Sequence, residues 1–130
     1  MTNKGNILVA DDVDDVRDLV VESLNLLFPG YEIEQFSNGN LIKRRLEQEL
    51  ETPGGVKLLV TDNDMKIGPT GSELIANYAK RVNFPIILNY GGIEEIGKEA
   101  IRNGAYGYLL KPFIITSFGE IVGGALGKSK

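Results

Sequence analysis

The sequence predicts an α/β domain with a five-stranded parallel sheet flanked by five helices, and three observations carry that prediction. Short apolar runs recur at Asn6–Ala10, from Val56 to Thr61 and at Pro85–Asn89. Runs of this length, rich in Val, Ile and Leu, suit strands covered on both faces. Between them, apolar residues return at helical rather than alternating spacing. The chain of 130 residues holds one domain, read as residues 1–130 with no output domain, and is long enough to bury a core without a staple. Right-handed crossovers and one topological switch point, where the order of winding reverses, leave few layouts, and the order 2-1-3-4-5 is the one expected for a doubly wound sheet of this size.

Asn6–Ala10 closes at Asp11-Asp12 and reads as the first strand. Val16, Leu19, Val20, Leu24 and Leu27 follow at helical spacing behind acids in the first turn, which predicts a helix from about Asp14 to Phe28, ended by Pro29-Gly30. Tyr31–Phe36 alternates apolar and polar residues, as a half-exposed edge strand does. Ser37-Asn38 can cap a second helix through about Leu50, with Ile42, Leu46 and Leu50 inward. After the turn Thr52-Pro53-Gly54-Gly55, the stretch from Val56 is a buried strand that delivers Asp62 to its carboxyl end. A helix over Ser72–Val82 places Leu74, Ile75, Tyr78, Ala79 and Val82 on one face. Pro85–Asn89 is a fourth strand with its proline at the start, where a missing ladder donor does least harm. Gly91-Gly92 opens a helix with Ile93, Ile96, Ala100 and Ile101 inward, closed by Asn103-Gly104. Tyr106–Leu110 makes a fifth strand, interrupted early by Gly107. The last helix, about Ile115 to Leu126, aligns Phe118, Ile121, Val122, Ala125 and Leu126, while Gly119, Gly123 and Gly124 weaken it by roughly 1 kcal/mol each relative to Ala.

Composition narrows the chemistry. The chain has no Cys and no His, which excludes thiol nucleophiles, Ser-His triads, Cys/His zinc sites and histidine pH switches. A net charge of −4 argues against direct nucleic-acid binding through a basic surface. Met1–Gly5 is followed by only a short apolar run, so neither a signal peptide nor a membrane span is expected, and the location expected is cytoplasmic.

In the expected strand order, Asp11 and Asp12 end strand 1, Asp62 ends strand 3 and Lys111 ends strand 5. Carboxylates gathered at one rim repel each other, and a hard divalent cation, Mg²⁺ or Mn²⁺, resolves the repulsion with all-oxygen ligation. Mg²⁺ keeps room for phosphate oxygens, so such a site is complete only when a phosphoryl group arrives. A carboxylate such as Asp62 can attack phosphorus itself, and Lys111 supplies a cation for the charged oxygens.

Three segments in this order, Ile7-Leu8-Val9-Ala10-Asp11-Asp12, Leu58-Leu59-Val60-Thr61-Asp62 with Met65, and Asn103-Gly104-Ala105-Tyr106-Gly107-Tyr108-Leu109-Leu110-Lys111-Pro112-Phe113, carry a resemblance. Over essentially its whole length the chain resembles the receiver domain of bacterial two-component response regulators, of the CheY-like single-domain type. The resemblance implies that Asp62 is the phosphoacceptor, that Asp12 and Asp62 ligate Mg²⁺ directly with the main-chain carbonyl of Asp64, and that Asp11 binds through water. It implies that Lys111 pairs with the phosphoryl group and that the Lys111-Pro112 peptide is cis. Tyr108 matches the aromatic that changes rotamer when such domains switch; a simply packed strand aromatic is the alternative. The function implied is that of a stand-alone phosphoacceptor, not an enzyme beyond slow self-dephosphorylation. Its phosphoryl donor is a histidine kinase or phosphotransfer protein, and its target a protein that contacts helix 4, strand 5 and helix 5.

The match departs at four places. Where the family carries Ser or Thr at the end of strand 4, this chain has Asn89 or Tyr90, depending on a one-residue gap. An Asn89 amide could replace the hydroxyl as donor, whereas Tyr90 is too long to do so without rearrangement. Lys66 stands where proline usually follows, and the loop to Gly71 is one residue longer than usual. Asp64 adds a fourth carboxylate at the mouth and is expected to tune metal affinity and phosphoryl lifetime. Gly91-Gly92 makes the next loop mobile. Asn89, Tyr90 and Lys66 also admit a degenerate receiver acting as a constitutive interaction module. Asp62-Asn63-Asp64 resembles the Asp-x-Asp of haloacid-dehalogenase-type phosphatases, but those place the motif at their first strand, where this chain has Asp11-Asp12.

Overall fold

The computed structural model describes residues 3–128, so the start of the segment read against a signal peptide lies outside the described residues. Its sheet is parallel throughout and ordered β2-β1-β3-β4-β5. The strands are β1 (Asn6–Ala10), β2 (Glu32–Phe36), β3 (Val56–Asp62), β4 (Ile86–Tyr90) and β5 (Gly107–Leu110). They alternate with helices α1 (Asp14–Leu27), α2 (Gly39–Glu51), α3 (Gly71–Tyr78), α4 (Glu94–Arg102) and α5 (Ile115–Lys128).

Side-chain alternation divides the core in two, because successive residues of a strand face opposite sides of the sheet. Ile7, Val9, Leu58, Val60, Ile87 and Leu109 meet Val20 and Leu24 of α1 and Phe118, Val122 and Ala125 of α5. Leu8, Leu59, Ile86, Leu88 and Tyr90 meet residues of α2, α3 and α4, among them Ile42, Leu46, Leu74, Ile75 and Ala100. The apolar runs are continuous for that reason, whereas β2, at the edge, is only half buried. At the opposite end of the sheet, the buried Glu49 carboxylate is satisfied by Arg45 at 3.1 Å and by the main-chain N–H of Gly54 at 2.8 Å.

Several expectations are corrected. Helix α3 stops at Tyr78 rather than Val82, because the chain tightens there and the N–H groups of Arg81 and Val82 both reach the Tyr78 carbonyl. Ile93 precedes α4 as its extended N-cap and is 69% exposed, so it lies off the buried stripe, and Ile101 is half-exposed. Ala100 is buried as expected and Ile96 packs against the core, with Gly97 completing the stripe. Leu19 and Leu27 of α1 also face solvent, leaving a narrower stripe at Val20, Ser23 and Leu24. Gly107 does not interrupt β5 but begins it, and a Cβ there would lie 2.5 Å from Ile121 of α5. Strand β4 runs one residue beyond Asn89 to include Tyr90. No described helix is long and apolar enough to cross a membrane.

Candidate functional site

The carboxyl rim of the sheet collects the charged residues. Ala10 lies opposite Thr61, so Asp11 and Asp62 leave neighbouring strands side by side. Asp62 in turn lies opposite Asn89, and Tyr90 opposite Leu110, which sets Lys111 just beyond β5 at the same rim. The Lys111 ammonium donates to Asp62 Oδ1 at 2.8 Å and to Asp11 Oδ2 at 3.3 Å. Asp11 and Asp62 are 2% and 6% exposed. One oxygen from each of Asp11, Asp12 and Asp62 lies within 4.8 Å of the others. Asp11 is fixed from both ends, its Oδ1 accepting the N–H of Val13 at 2.9 Å and its main-chain carbonyl accepting from Arg17 at 2.7 Å. Asp12 Oδ2 accepts the main-chain N–H of Lys66 at 3.3 Å.

Electrostatics make this a site under tension. Burial pushes the Asp62 carboxyl above its ordinary range, the charge of Asp11 adds to the push, and the hydrogen bond from Lys111 pulls the other way without cancelling it. Burial alone lowers Lys111, but its hydrogen bond to Asp62 and the charges of Asp62 and Asp11 outweigh that and leave the ammonium raised. One cation thus pairs with two of the three acids, and an excess of negative charge stays at the rim. Asn89 Oδ1, on the strand next to Asp62, is buried without a hydrogen-bond partner. A buried polar atom left unsatisfied beside an all-oxygen acidic trio fits a site built for a hard cation and a further polar group.

The other residues singled out from the sequence fall into place unevenly. The Asp64 carboxylate is exposed and lies outside the trio, with the Asn63 amide 3.5 Å from its Oδ1. The Lys111-Pro112 peptide is cis. Of the two residues ending β4, Asn89 shares the face of Asp62, while Tyr90 points to the other face and is 1% exposed. Its ring sits 5.8 Å from that of Tyr108, tilted by 58°, and its hydroxyl reaches the main chain of Gly97. A Cβ on Gly97 would come within 2.6 Å of Tyr108 and 2.7 Å of the Tyr90 hydroxyl. Tyr90 therefore brings no hydroxyl to the rim.

Two supporting residues escaped the sequence reading. Asn63 Oδ1 accepts the N–H of Ser72 at 2.9 Å and its hydroxyl at 2.7 Å, while the Asn63 carbonyl accepts the N–H of Gly71 at 2.9 Å. That staples the start of α3 to the end of β3. Gly71 permits the approach, since a Cβ there would lie 2.3 Å from the Asp62 carbonyl oxygen. The only signal available was an amide side chain nine residues before a serine, which means nothing until the loop is closed.

No family model matches the chain. The DNA-binding transcriptional regulator NtrC of Bradyrhizobium sp. (strain RP501 Parasponia) is 33% identical over 97% of this chain, but the match takes in 25% of that protein, so the chain spans about a quarter of the length of this curated relative. Among solved structures, NtrX from Brucella abortus is 26% identical over 99% of this chain and 28% of its own, with a TM-score of 0.80. A Francisella response regulator receiver domain gives a TM-score of 0.78 at 23% identity, covering 98% of this chain and 100% of its own. A CheY-like response regulator receiver domain protein from Methanospirillum hungatei JF-1 gives 0.77 at 23% identity, over 96% and 95% of the two chains.

Proposed function

We propose that the chain, which has the fold of CheY-like response-regulator receiver domains, is a receiver of the two-component kind and accepts a phosphoryl group on Asp62. The observation that supports this most directly is the buried Asp62 carboxylate, 2.8 Å from the Lys111 ammonium, within the trio it forms with Asp11 and Asp12. In the step proposed, an Asp62 oxygen attacks phosphorus as the phosphorus–nitrogen bond of a donor phosphohistidine breaks, leaving an acyl phosphate on this chain and the histidine free. Lys111, already charged and held at the rim, pairs with the oxygens of the incoming group. Asp12, Asp62 and the main-chain carbonyl of Asp64 would hold Mg²⁺ or Mn²⁺ directly, and Asp11 through water. When bound, such an ion supplies neutralisation of the charge that gathers on the phosphoryl oxygens. Asn89, with its unsatisfied amide oxygen beside Asp62, is the group of β4 placed to adjust to the new occupant.

The donor is a histidine kinase or phosphotransfer protein of the cytoplasm, and the signal passes on by protein contact. The face expected from the sequence, α4, β5 and α5, carries the exposed Ile101, Tyr106 and Leu110. Phosphoramidate or acetyl phosphate with Mg²⁺ should add one phosphate, detected by intact mass, and Asp62→Asn should abolish it. Labelling that persists in the mutant refutes the assignment. The packing of Tyr90 favours a second reading, a receiver whose α4 face is fixed and serves as a constitutive interaction module. Mg²⁺ binding without phosphate uptake would select that one. Repeated turnover of small phosphate esters would instead favour the phosphatase reading, which the exposed Asp64 carboxylate, outside the trio, does not support.

A further inference from the structure

We propose that the main-chain N–H of Lys66 is a positioning group for Asp12, holding that carboxylate in the acidic trio from a loop braced against α2. The inference rests on the reading of the trio as a metal site.

Asp12 is the member of the trio that Lys111 does not reach. Lys111 bonds Asp62 and Asp11, whereas Asp12, half-buried, faces two like charges with an oxygen of each within 4.8 Å of its own. Repulsion of that kind turns a carboxylate out toward water unless something holds it. The contact that holds it is the N–H of Lys66 on Asp12 Oδ2 at 3.3 Å. A carboxylate offers about four acceptor positions, so one N–H leaves the rest free for an ion.

A loop amide can do this only if the loop is rigid, and the stretch after Met65 is anchored at both ends. On the near side Met65 is 6% exposed and packs in the core. On the far side, the carbonyl of Ile67 accepts the N–H of Gly39, the first residue of α2, at 2.8 Å. The fit between loop and helix leaves no space: a Cβ on Gly39 would fall 2.1 Å from the Pro69 oxygen, and one on Gly68 would fall 2.4 Å from the Asn40 nitrogen. The Lys66 amide is therefore set by Met65 below and α2 beside it, while the Lys66 side chain is exposed. The departure at this position thus lies in the main chain, since a proline here would have no N–H to give.

The test is an Mg²⁺ titration of four forms of the whole chain, read by NMR of the Lys66 amide and by the apparent dissociation constant. In the wild type the Lys66 amide resonance should move as Mg²⁺ binds. Lys66→Ala keeps the N–H and should bind within about twofold of wild type, whereas Lys66→Pro removes it and should bind about 3- to 10-fold more weakly. Gly39→Ala touches no acid, yet should weaken Mg²⁺ in the same direction by displacing the loop. Equal affinity in folded Lys66→Pro and Lys66→Ala overturns the proposal. Should Lys66→Pro fail to fold, an Lys66 amide that ignores Mg²⁺, or a folded Gly39→Ala with wild-type affinity, overturns it equally. A wild type that binds no Mg²⁺ refutes the metal site itself, and is distinguishable because no variant is needed to see it.

Discussion

The two faces of strand β4 stand back to back, one residue apart, and differ in what they have to spare. On the face shared with Asp62, Asn89 is buried with an acceptor unused, and one ammonium stands against a trio of acids, bonded to two of them. On the face toward α4, Tyr90 is packed ring against ring with Tyr108, and both lie against the helix at Gly97, where a Cβ would meet each of them. The first face has spare polar capacity, and the second has no room for a Cβ at Gly97. In the function proposed, receiving a charged group would draw on the rim residues, while transmitting its arrival would have to act through the packed Tyr90 and Tyr108.

The comparison breaks most visibly at Tyr90. Tyr90→Thr opens a cavity under Tyr108 and should lower stability by about 3 kcal/mol, measured by urea denaturation. It should also give the Tyr108 ring a phosphate-dependent shift in fluorine NMR of fluorotyrosine-labelled protein, which the wild type lacks; a wild-type Tyr108 that already moves on phosphorylation contradicts the packed face. On the rim side, Lys111→Met leaves Asp11 and Asp62 buried with no cation and should cost about 2 kcal/mol, less than a fully enclosed ion would because the lysine side chain is 23% exposed. Added Mg²⁺ should recover part of that loss, and indifference to Mg²⁺ would show that the rim is not short of positive charge.

A finer cut comes from Gly97→Ala, which should destabilise by about 1–2 kcal/mol through overpacking. The cost should shrink when Tyr90→Phe removes the hydroxyl that its methyl meets; additive effects would separate the two residues. The smallest effect concerns Tyr78 of α3, whose hydroxyl donates to the Glu47 carboxylate of α2. Burial first, then Glu47, pushes its pKa from 10.0 to about 12. A raised folded pKa favours the protonated, folded form, so this contribution is whole below pH 10.0 and is lost as pH rises toward about 12. Tyr78→Phe should flatten the stability profile in that window and leave Mg²⁺ binding alone.

The rim was legible because its residues stand at the ends of apolar runs, and a strand both displays its length and delivers whatever follows it. Asp11, Asp62 and Lys111 needed only the strand order to be brought together. Helical faces were less legible: Ile93 continues the periodicity of α4 but falls before its first turn, and the spacing points Ile101 inward although Gly97 makes the close contact. Periodicity finds a stripe, but it does not locate the turn at which a helix begins or distinguish a contact made by the absence of a side chain. Asn63 and the Lys66 amide were illegible for another reason. A main-chain N–H has no residue signature, and the Asn63–Ser72 staple exists only after the loop has closed.

Helix α5 presents Gly119, Gly123, Gly124 and Gly127, and its buried anchors are Phe118, Val122 and Ala125. Each glycine lowers the free energy needed to melt the helix by roughly 1 kcal/mol relative to alanine. This element should accordingly open on its own, well below the free energy of global unfolding, while β1 and β3 at the centre of the sheet open only with the whole chain. In amide hydrogen exchange the molecule would then divide into a fast-exchanging flap over residues 119–127 and a slow centre. The stacking of Phe113 on Phe118, ring centres 4.8 Å apart, ties that flap directly to the segment that follows Lys111-Pro112.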